Sequence, residues 1–474
     1  MPESGFLHAR PWDEHTPRSF EETLRHGVIA MMYCLLSNTI VMYFNGTVTG
    51  ADWAFPTVDT ISHNLTGQWK WEDADGFLVN QLGHPFQGSI YFGAGRANGF
   101  GFYSSLFFSA FGSLTWEIFH EGMVSSTNDM LTTIPAALSM GEILYRLYLQ
   151  AHSAGVPAVL TFLFNPAVGL HRLVTGWEPP PVENNFYELR FYVGGGFSDI
   201  DYSVRGPMVY GRENVFSHAG PVADAGFRII YGDPFIQNTS VPFRHFEFSV
   251  SLGTDIGNHK DVRVFSDGYL LSFSPIHTET SALSTGLSLH MDLVFLGESS
   301  IRDSTINMYS NALNWTVKYR RLFSPNITWR TRAHAGFTFF GVSKYFCPVG
   351  VPLEFHPENI RHDLNNFGYG LNFKHSSSFE FGRRNRLDVS NFFYFQWSYP
   401  GTSALSEGFV RWQFHDVAFS RLVSERVTLG GAFSLATERG SFGEFPSTRK
   451  NHWSVRTFVA WNGNNIRAPL GGRI

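Results

Sequence analysis

The chain has 474 residues, long enough for two or three ordinary domains or for one large barrel with an accessory domain. Charged residues make up only 16% of it, against roughly a quarter in an average soluble protein, whereas aromatic residues reach 16% and there are 46 glycines. This composition favours a membrane β-barrel or a β-rich secreted protein over a cytosolic enzyme. The two cysteines, Cys34 and Cys347, exclude a disulfide framework and a paired-cysteine zinc motif.

The net charge of −5 gives no indication of nucleic-acid binding, but the charge is unevenly distributed. Residues 1–180 carry 7 Lys/Arg and 15 Asp/Glu, a net charge of −8. Residues 181–474 carry 28 Lys/Arg and 25 Asp/Glu, a net charge of +3. Opposite signs fit two segments of different kind that dock on each other, although salt screens such an attraction.

The first predicted segment, residues 1–52, contains an apolar run at 27–44 (GVIAMMYCLLSNTIVMYF). The residues before the run are too many and too acidic for an ordinary signal-peptide start. The run has a borderline length for a membrane span and carries Ser37 and Asn38 in its interior. Two interpretations stay open, an export signal or anchor and a buried helix.

Residues 53–176 predict a helical domain. Three helices are expected within residues 83–150, the second from about residue 103 to 123. A further apolar helix is expected near residues 158–173. Residues 177–185 (WEPPPVENN) then form a Pro-rich linker and the predicted domain boundary.

Small and capping residues support this arrangement of helices. Gly88, Gly95 and Gly99 share one stripe of the first helix, which lets neighbouring backbones approach closely. Ser125, Ser126 and Asn128 supply N-cap chemistry for the third helix, and Asp129 lies in its first turn, where the helix dipole favours an acid.

Characteristic residues within the helical domain follow the pattern WE…E…SxND…T…GExxYR. They are Trp116, Glu117, Glu121, Ser126, Asn128, Asp129, Thr132, Gly141, Glu142, Tyr145 and Arg146, preceded by His84, Pro85, Gly88, Tyr91, Arg96, Gly99, Gly112 and Ser113. This block resembles an uncharacterised bacterial envelope family, a domain of unknown function followed by an outer-membrane barrel. The resemblance covers about residues 53–176 and implies architecture and location. It implies no activity, because the family has none assigned.

The charged residues of this block support two hypotheses. Glu117 and Glu121 are four residues apart, as are Glu142 and Arg146, so each pair is expected on one helical face. Among Phe and Leu side chains such groups are costly unless they are paired. The favoured hypothesis is a structural polar network that holds three helices together; its members are Arg96, Glu117, Glu121, Asp129, Glu142 and Arg146.

The alternative hypothesis is a paired-carboxylate site with Glu117, Glu121 and His84 as candidate catalytic residues, and His120 as a further candidate ligand. No H-E-x-x-H motif and no G-x-S-x-G motif supports it. We therefore expect no metal and no cofactor, and an enzymatic role is not favoured.

From residue 186 the apolar residues recur at every second position. Leu287, Leu289 and Met291 alternate with Ser288 and His290, and the same pattern recurs in long segments up to residue 461. A soluble β-sandwich also alternates, but the length of the segments and the charged residues on one face favour a membrane barrel. Residues 186–474 are therefore predicted as an antiparallel outer-membrane barrel of about twelve strands, with ten or fourteen as alternatives.

The alternation assigns residues to the two faces of the barrel wall. Residues 341–366 are the longest predicted loop, on the outer face of the membrane. The predicted lipid-facing residues are Phe248, Trp315, Trp329 and Trp412, and the predicted lumen residues are His290, Arg320, Arg332 and Arg411.

Together these features predict a porin-like protein in the outer membrane of a diderm bacterium, with the helical domain as a lumen plug or a periplasmic cap. Its expected role is that of a pore or transporter, or of an envelope scaffold; the alternative is an enzyme that modifies envelope lipid or glycan through Glu117 and Glu121. The expected partners are outer-membrane lipid and the barrel-assembly machinery, with no nucleic acid. The sequence does not specify the solute or lipid ligand.

Overall fold

The chain divides into two compact units, with the boundary between Asn185 and Phe186. The first unit is helical and the second is a closed β-barrel. Most of the loop predicted at 341–366 and the end of the chain lie outside the described residues. The computed structural model describes residues 19–67, 69–71, 76–206, 209–235, 238–255, 259–298, 306–346, 363–382, 384–401, 408–443 and 446–463.

The first helix, α1, covers Phe20–Phe44 and continues as a π-helical turn through Asn45–Thr49. It begins at a capping box in which Ser19 and Glu22 satisfy each other's backbone N–H groups. One side of α1 is buried, whereas the other exposes apolar side chains. Within the described residues it is the one helix long and apolar enough to cross a membrane, a test that signal sequences and core helices also pass. Both interpretations of residues 27–44 are consistent with this two-sided helix.

The described residues form seven further α-helices. They are α2 (Val58–Leu65), α3 (His84–Ala97), α4 (Phe102–Phe119), α5 (Thr127–Ala136), α6 (Glu142–Ser153), α7 (Ala158–Phe164) and α8 (Pro166–Thr175). A π-helical turn at Ala137–Gly141 joins α5 to α6 just after Pro135, which cannot donate a helical hydrogen bond. The helix predicted near 158–173 is therefore two helices, because Asn165 caps α8 and Pro166 begins it.

The central helix of this unit is α3, which packs against α1, α4, α5 and α8. A Cβ atom on Gly88 would lie 2.7 Å from Thr133 Cγ2, and one on Gly95 would lie 2.6 Å from Phe108 Cδ2. The predicted close approach at these two glycines is confirmed. Gly99 lies outside the helix, so its predicted place on the stripe is wrong: it follows the helix end with a φ of 78°, a conformation that terminates helices.

The barrel consists of twelve antiparallel strands, as predicted, and each pairs with its neighbours in sequence. The ring closes between β1 and β12, where Val193 lies opposite Val459 and Phe197 opposite Val455. The strands are β1 (Phe186–Gly206), β2 (Val209–Tyr231), β3 (Phe246–Asp255), β4 (His259–His277), β5 (Ser281–Glu298), β6 (Ile306–Ser324), β7 (Ile327–Phe346), β8 (Asp363–Phe381), β9 (Asn385–Ser398), β10 (Gly408–Leu422), β11 (Val427–Phe442) and β12 (Ser447–Asn462).

The two ends of the barrel differ. At the short-turn end β1 begins, β12 ends, and four connections span two to four residues each, at 278–280, 325–326, 382–384 and 423–426; the fifth, between β2 and β3, is longer and spans residues 232–245. At the opposite, long-loop end three connections are long, at residues 299–305, 347–362 and 399–407, and three are short, at 207–208, 256–258 and 443–446. Bacterial membrane barrels commonly have mostly short turns on the periplasmic side and longer loops outside.

An apolar belt surrounds the outside of the barrel nearer its short-turn end. On β6, Leu313 and Trp315 are 40% and 50% exposed, whereas their neighbours Asn314 and Thr316 are fully buried. The same outward exposure of apolar residues recurs on the other strands, as at Val193, Leu371, Phe433 and Val459. An apolar outside with a polar inside is the pattern of a membrane barrel.

Strand β10 does not follow the predicted assignment of faces. Trp412 is buried on the inner face and Arg411 is exposed on the outer face, so both predictions were wrong. Val417 and Phe419, on the same face as Arg411, are exposed within the apolar belt. The reason is strand length: β10 extends beyond the belt, and there the outer residues meet water while the inner residues pack together.

Candidate functional site

Three charged residues of the predicted network meet between α3 and α6. Glu142 Oε2 lies 3.0 Å from Arg96 Nε, and Glu142 Oε1 lies 2.8 Å from Arg146 Nε. Arg96 also donates to the Phe100 carbonyl at 3.0 Å, and its guanidinium lies 4.7 Å from the centre of the Tyr145 ring. The carboxylate is fully buried, and the two guanidinium groups and the ring enclose it.

Glu117 is buried near the end of α4 and contacts the backbone of the next connection. Its Oε2 accepts the N–H of Ser126 at 2.8 Å. Its carbonyl accepts from Asn64 Nδ2 at 3.0 Å and from Ser125 Oγ at 2.9 Å. These bonds fix the connection between α4 and α5 and tie it to α2.

Glu121 does not share a helical face with Glu117, because α4 ends at Phe119 and not near residue 123 as predicted. The chain turns away because the Gly122 N–H donates to the Trp53 carbonyl at 2.7 Å. Glu121 Oε2 instead accepts the indole N–H of Trp116 at 3.1 Å. The two carboxylates therefore do not form the expected pair on one helical face. Each accepts a hydrogen bond separately at the end of α4.

His84 lies beside Asp129. His84 Nε2 is 3.7 Å from Asp129 Oδ1, which also accepts from Asn128 Nδ2 at 3.1 Å. The amide of Asn128 in turn accepts from Gln81 and Thr132, each at 3.3 Å. The beginning of α5 is thereby joined to the chain that enters α3.

A further buried cluster, centred on Asn38, was not predicted as a site. Asn38 Nδ2 donates to the Gly112 carbonyl at 3.0 Å and to Thr115 Oγ1 at 3.1 Å, and Asn38 Oδ1 accepts from Gln87 and Tyr91. Burial raises the pKa of the Tyr91 phenol well above its usual value, so the phenol remains a donor. The one sequence signal for this cluster is an asparagine within an apolar run.

The buried network suits a structural role better than catalysis. Glu117, Glu121 and Glu142 are at most 3% exposed and accept from donors held by the fold. A general acid or base must come within hydrogen-bond reach of a substrate proton, which this burial opposes. Both roles stay predictions, and the geometry favours the structural one.

The barrel interior carries a second charged region near the short-turn end, which we call the arginine ring. Two pairs of its arginines lie directly opposite each other on neighbouring strands, Arg190 with Arg228 and Arg320 with Arg330. Like charges in this position repel. The ring consists of Arg190, Arg228, Arg320, Arg330, Arg332 and Arg386, and the acidic residues among them are Glu188, Glu247, Glu380 and Asp388.

Four of the six arginines in the ring contact these acids. The ion pairs are Arg386 with Glu188 at 3.3 Å and with Asp388 at 2.9 Å, Arg228 with Glu247 at 2.9 Å, Arg330 with Glu380, and Arg332 with Glu247. Arg190 and Arg320 form no ion pair among the described residues and lie over the rings of Phe458 and Phe235. Acidic groups act on them from a greater distance, Glu188 and Asp388 on Arg190 and Asp233 on Arg320. These two guanidinium groups are therefore the members of the ring without a direct acidic contact.

Farther from the short-turn end, side chains meet across the lumen from strands that are not neighbours. Lys374 Nζ on β8 lies 2.8 Å from Asp292 Oδ2 on β5, and Tyr394 on β9 donates to the same oxygen at 2.9 Å. Arg263 on β4 lies 3.7 Å from Asp416 on β10. The lumen is thus narrowed by polar contacts through its middle.

The long-loop half of the lumen contains an apolar cluster, which we call the apolar closure. Cα atoms of β6 and β11, which are not neighbouring strands, approach within 8 Å. Trp412 is 1% exposed within it and donates to Glu438 Oε2 at 2.9 Å. The closure consists of Val294, Leu296, Ile306, Met308, Tyr394, Val410, Trp412, Phe414, Ala436 and Phe442.

A small cavity of about 30 Å³ lies inside the barrel and is lined by residues of β1, β2, β3, β4, β5 and β12. Asp224, Asp261, His452 and Arg456 form much of its polar lining. Arg456 pairs with Asp224 Oδ2 at 3.0 Å and donates to Ser434 at 2.7 Å. This cavity is large enough for about one or two water molecules.

Comparison with known sequences identifies the helical block. Residues 68–167 match a family described as a domain of unknown function (DUF3943). The resemblance predicted from the sequence is confirmed for these residues. No curated protein matches the chain.

Solved β-barrels resemble the chain at low identity. The NanC porin is 8% identical over 56% of this chain and 98% of its own, with a TM-score of 0.26. The toluene transporter TodX of Pseudomonas putida is 9% identical over 60% of this chain and 91% of its own, with a TM-score of 0.22. The outer membrane protease OmpT from Escherichia coli is 8% identical over 59% of this chain and 99% of its own, also with a TM-score of 0.22. Likeness at this level does not specify a function.

Proposed function

We propose that this protein is an outer-membrane barrel whose lumen passes small anionic solutes. The observation that carries the proposal is the arginine ring, in which Arg190 and Arg320 each lie opposite another arginine and form no ion pair among the described residues. Desolvated guanidinium groups that face like charges are stabilised by a bound anion. A ring of such groups raises the local anion concentration at one mouth of the barrel.

The proposed location is the outer membrane of a diderm bacterium. The exposed apolar belt, with Trp315 and Val459 among its residues, supports contact with outer-membrane lipid. Insertion of such a barrel requires the barrel-assembly machinery, which is the second proposed partner. The difference between the short-turn and long-loop ends supports an orientation with β1 beginning on the periplasmic side.

The helical unit is proposed to plug the lumen or to cap it. Residues 1–180 carry a net charge of −8, and the linker 177–185 leads into β1 at the end of the barrel that holds the arginine ring. Deletion of residues 1–176 is expected to raise conductance in planar bilayers. Heat-modifiable migration in gels establishes that the truncated barrel has folded; unchanged conductance of the folded barrel would contradict the plug.

The anion preference is tested by the reversal potential of the full chain in planar bilayers under a salt gradient. The wild type is expected to favour chloride over potassium, and the Arg190→Gln/Arg320→Gln variant to lose several-fold of that preference. The control is Arg411→Gln/Arg449→Gln, which removes two exposed arginines outside the lumen and leaves selectivity unchanged. Cation preference in the wild type, or equal selectivity in both variants, would overturn the proposal.

A further inference from the structure

Three metal-ligating side chains converge inside the barrel at a place the proposed transport function does not use. Asp267 on β4, His290 on β5 and His334 on β7 are all buried, and one ligand atom of each lies within 4.8 Å of the others. Asp267 and His290 are directly opposite each other on neighbouring strands. The two imidazole rings are in edge-to-face contact, with their centres 4.8 Å apart.

A hydroxyl group contacts one nitrogen of each imidazole and holds the orientation of the ring. Ser288 Oγ lies 2.8 Å from His290 Nε2, and Thr316 Oγ1 lies 2.8 Å from His334 Nδ1. The two hydroxyl groups also contact each other. Metal-binding histidines in proteins are commonly oriented in this way through the ring nitrogen that does not bind the metal.

The other nitrogen of each ring takes no part in these contacts. His290 Nδ1 is buried and has no hydrogen-bond partner among the described residues. For His334 the available nitrogen is Nε2, because the hydroxyl of Thr316 contacts Nδ1. A buried, unpartnered imidazole nitrogen carries a desolvation cost that a bound cation removes.

The carboxylate of Asp267 is also held in place. Lys318 Nζ lies 3.3 Å from Asp267 Oδ1 and 2.8 Å from Glu247 Oε1, so the two carboxylates share the positive charge of Lys318. This contact uses one oxygen of Asp267 and leaves the other for a metal.

We propose that Asp267, His290 and His334 form a binding site for a divalent transition metal, best suited to Zn²⁺. Two imidazole nitrogens and one carboxylate oxygen are ligands that zinc accepts, with water as a fourth. Tetrahedral zinc with ligand distances of roughly 2.0–2.1 Å brings its donor atoms to about 3.3 Å from each other. Side-chain rotations that draw the three donors together would close the site and join β4, β5 and β7.

The test uses the full chain, purified in detergent, stripped with a chelator and titrated with Zn²⁺ alone. One ion per chain is expected after desalting, and the His290→Gln, His334→Gln and Asp267→Asn variants are each expected to bind at least tenfold more weakly. The matched control is His452→Gln, which changes another buried lumen histidine outside the cluster and leaves binding intact. Equal binding by wild type and all three ligand variants would overturn the site, as would no saturable binding.

A second measurement is independent of how the variants fold. X-ray absorption of the zinc-loaded wild type is expected to show two imidazole nitrogens in the metal's coordination shell. A shell of oxygen atoms alone would contradict the proposal. The Ser288→Ala variant keeps all three ligands but loses one orienting hydrogen bond, so its affinity is expected to fall roughly 10- to 100-fold.

Discussion

Glu142 is the residue on which the charged network of the helical unit depends most, because Arg96 and Arg146 both contact its buried carboxylate. Glu142→Gln keeps the shape of the side chain but leaves both guanidinium groups poorly compensated, which costs about 3–5 kcal/mol at a buried site. Urea unfolding followed by the helical circular dichroism signal measures the loss.

The control for this change is Glu178→Gln, which removes an exposed carboxylate that pairs with Arg172 at 2.8 Å. It is expected to leave the unfolding midpoint unchanged, because solvent screens the pair. A structural role for the network would be contradicted if Glu142→Gln were no more destabilising than this control.

His171 is expected to make the stability of the helical unit depend on pH. Burial, together with the nearby His26, lowers the pKa of His171 to about 4. The unfolded chain, with a histidine pKa of about 6.5, binds a proton at pH 5 that the folded chain does not. Stability is therefore expected to fall by at most about 3 kcal/mol between pH 7 and pH 4.

Thermal unfolding of the wild type and of His171→Gln across this pH range checks the expectation. The variant removes the titrating ring, so its melting temperature should fall less with acid than that of the wild type. Parallel curves for the two proteins would show that this histidine does not cause the dependence.

Among the helices, α3 is expected to tolerate added volume poorly. A Cβ atom on Gly88 would lie 2.8 Å from the Thr133 backbone oxygen, so Gly88→Ala forces α3 and α5 apart at a cost of about 1–3 kcal/mol. Gly27→Ala in α1 is the matched control, because its Cβ would lie 3.6 Å from Phe100, an ordinary contact. Urea unfolding should rank the two variants in this order; equal stabilities would contradict the packing described here.

The elements also show where sequence reasoning succeeds and where it fails. Alternation identified the strands because a wall between lipid and water has two chemically different faces. Alternation failed on β10, where Arg411 and Trp412 lie beyond the apolar belt. There the outer face carries the charged residue and the inner face carries the apolar one. Helical spacing failed at Glu121 because a backbone contact between Gly122 and Trp53 ends the helix.

For the whole molecule, the closed barrel was predictable but the content of its lumen was not. Strand pairing between neighbours in sequence follows from the alternation and the turns. How side chains fill the lumen depends on contacts between residues far apart in the chain, such as Lys374 with Asp292 and Tyr394 with Asp292. The same reason explains why the cluster of Asp267, His290 and His334 was not predicted, since no short spacing marks it.

The proposed solute path through the lumen is narrowed, but not sealed, by the apolar closure. An apolar constriction opposes the passage of water and ions, so the intact protein is expected to have low conductance. Trp412 and Met308 contribute to the closure from β10 and β6, two strands that are not neighbours.

The most direct test is the single-channel conductance of the full chain carrying Trp412→Ala and Met308→Ala, compared with Trp315→Ala on the outer belt. Heat-modifiable migration in gels first establishes that each barrel has folded. The double variant is expected to conduct several-fold more than the wild type, while Trp315→Ala should not differ from the wild type. A folded double variant with wild-type conductance would show that the apolar closure does not limit conduction through the lumen.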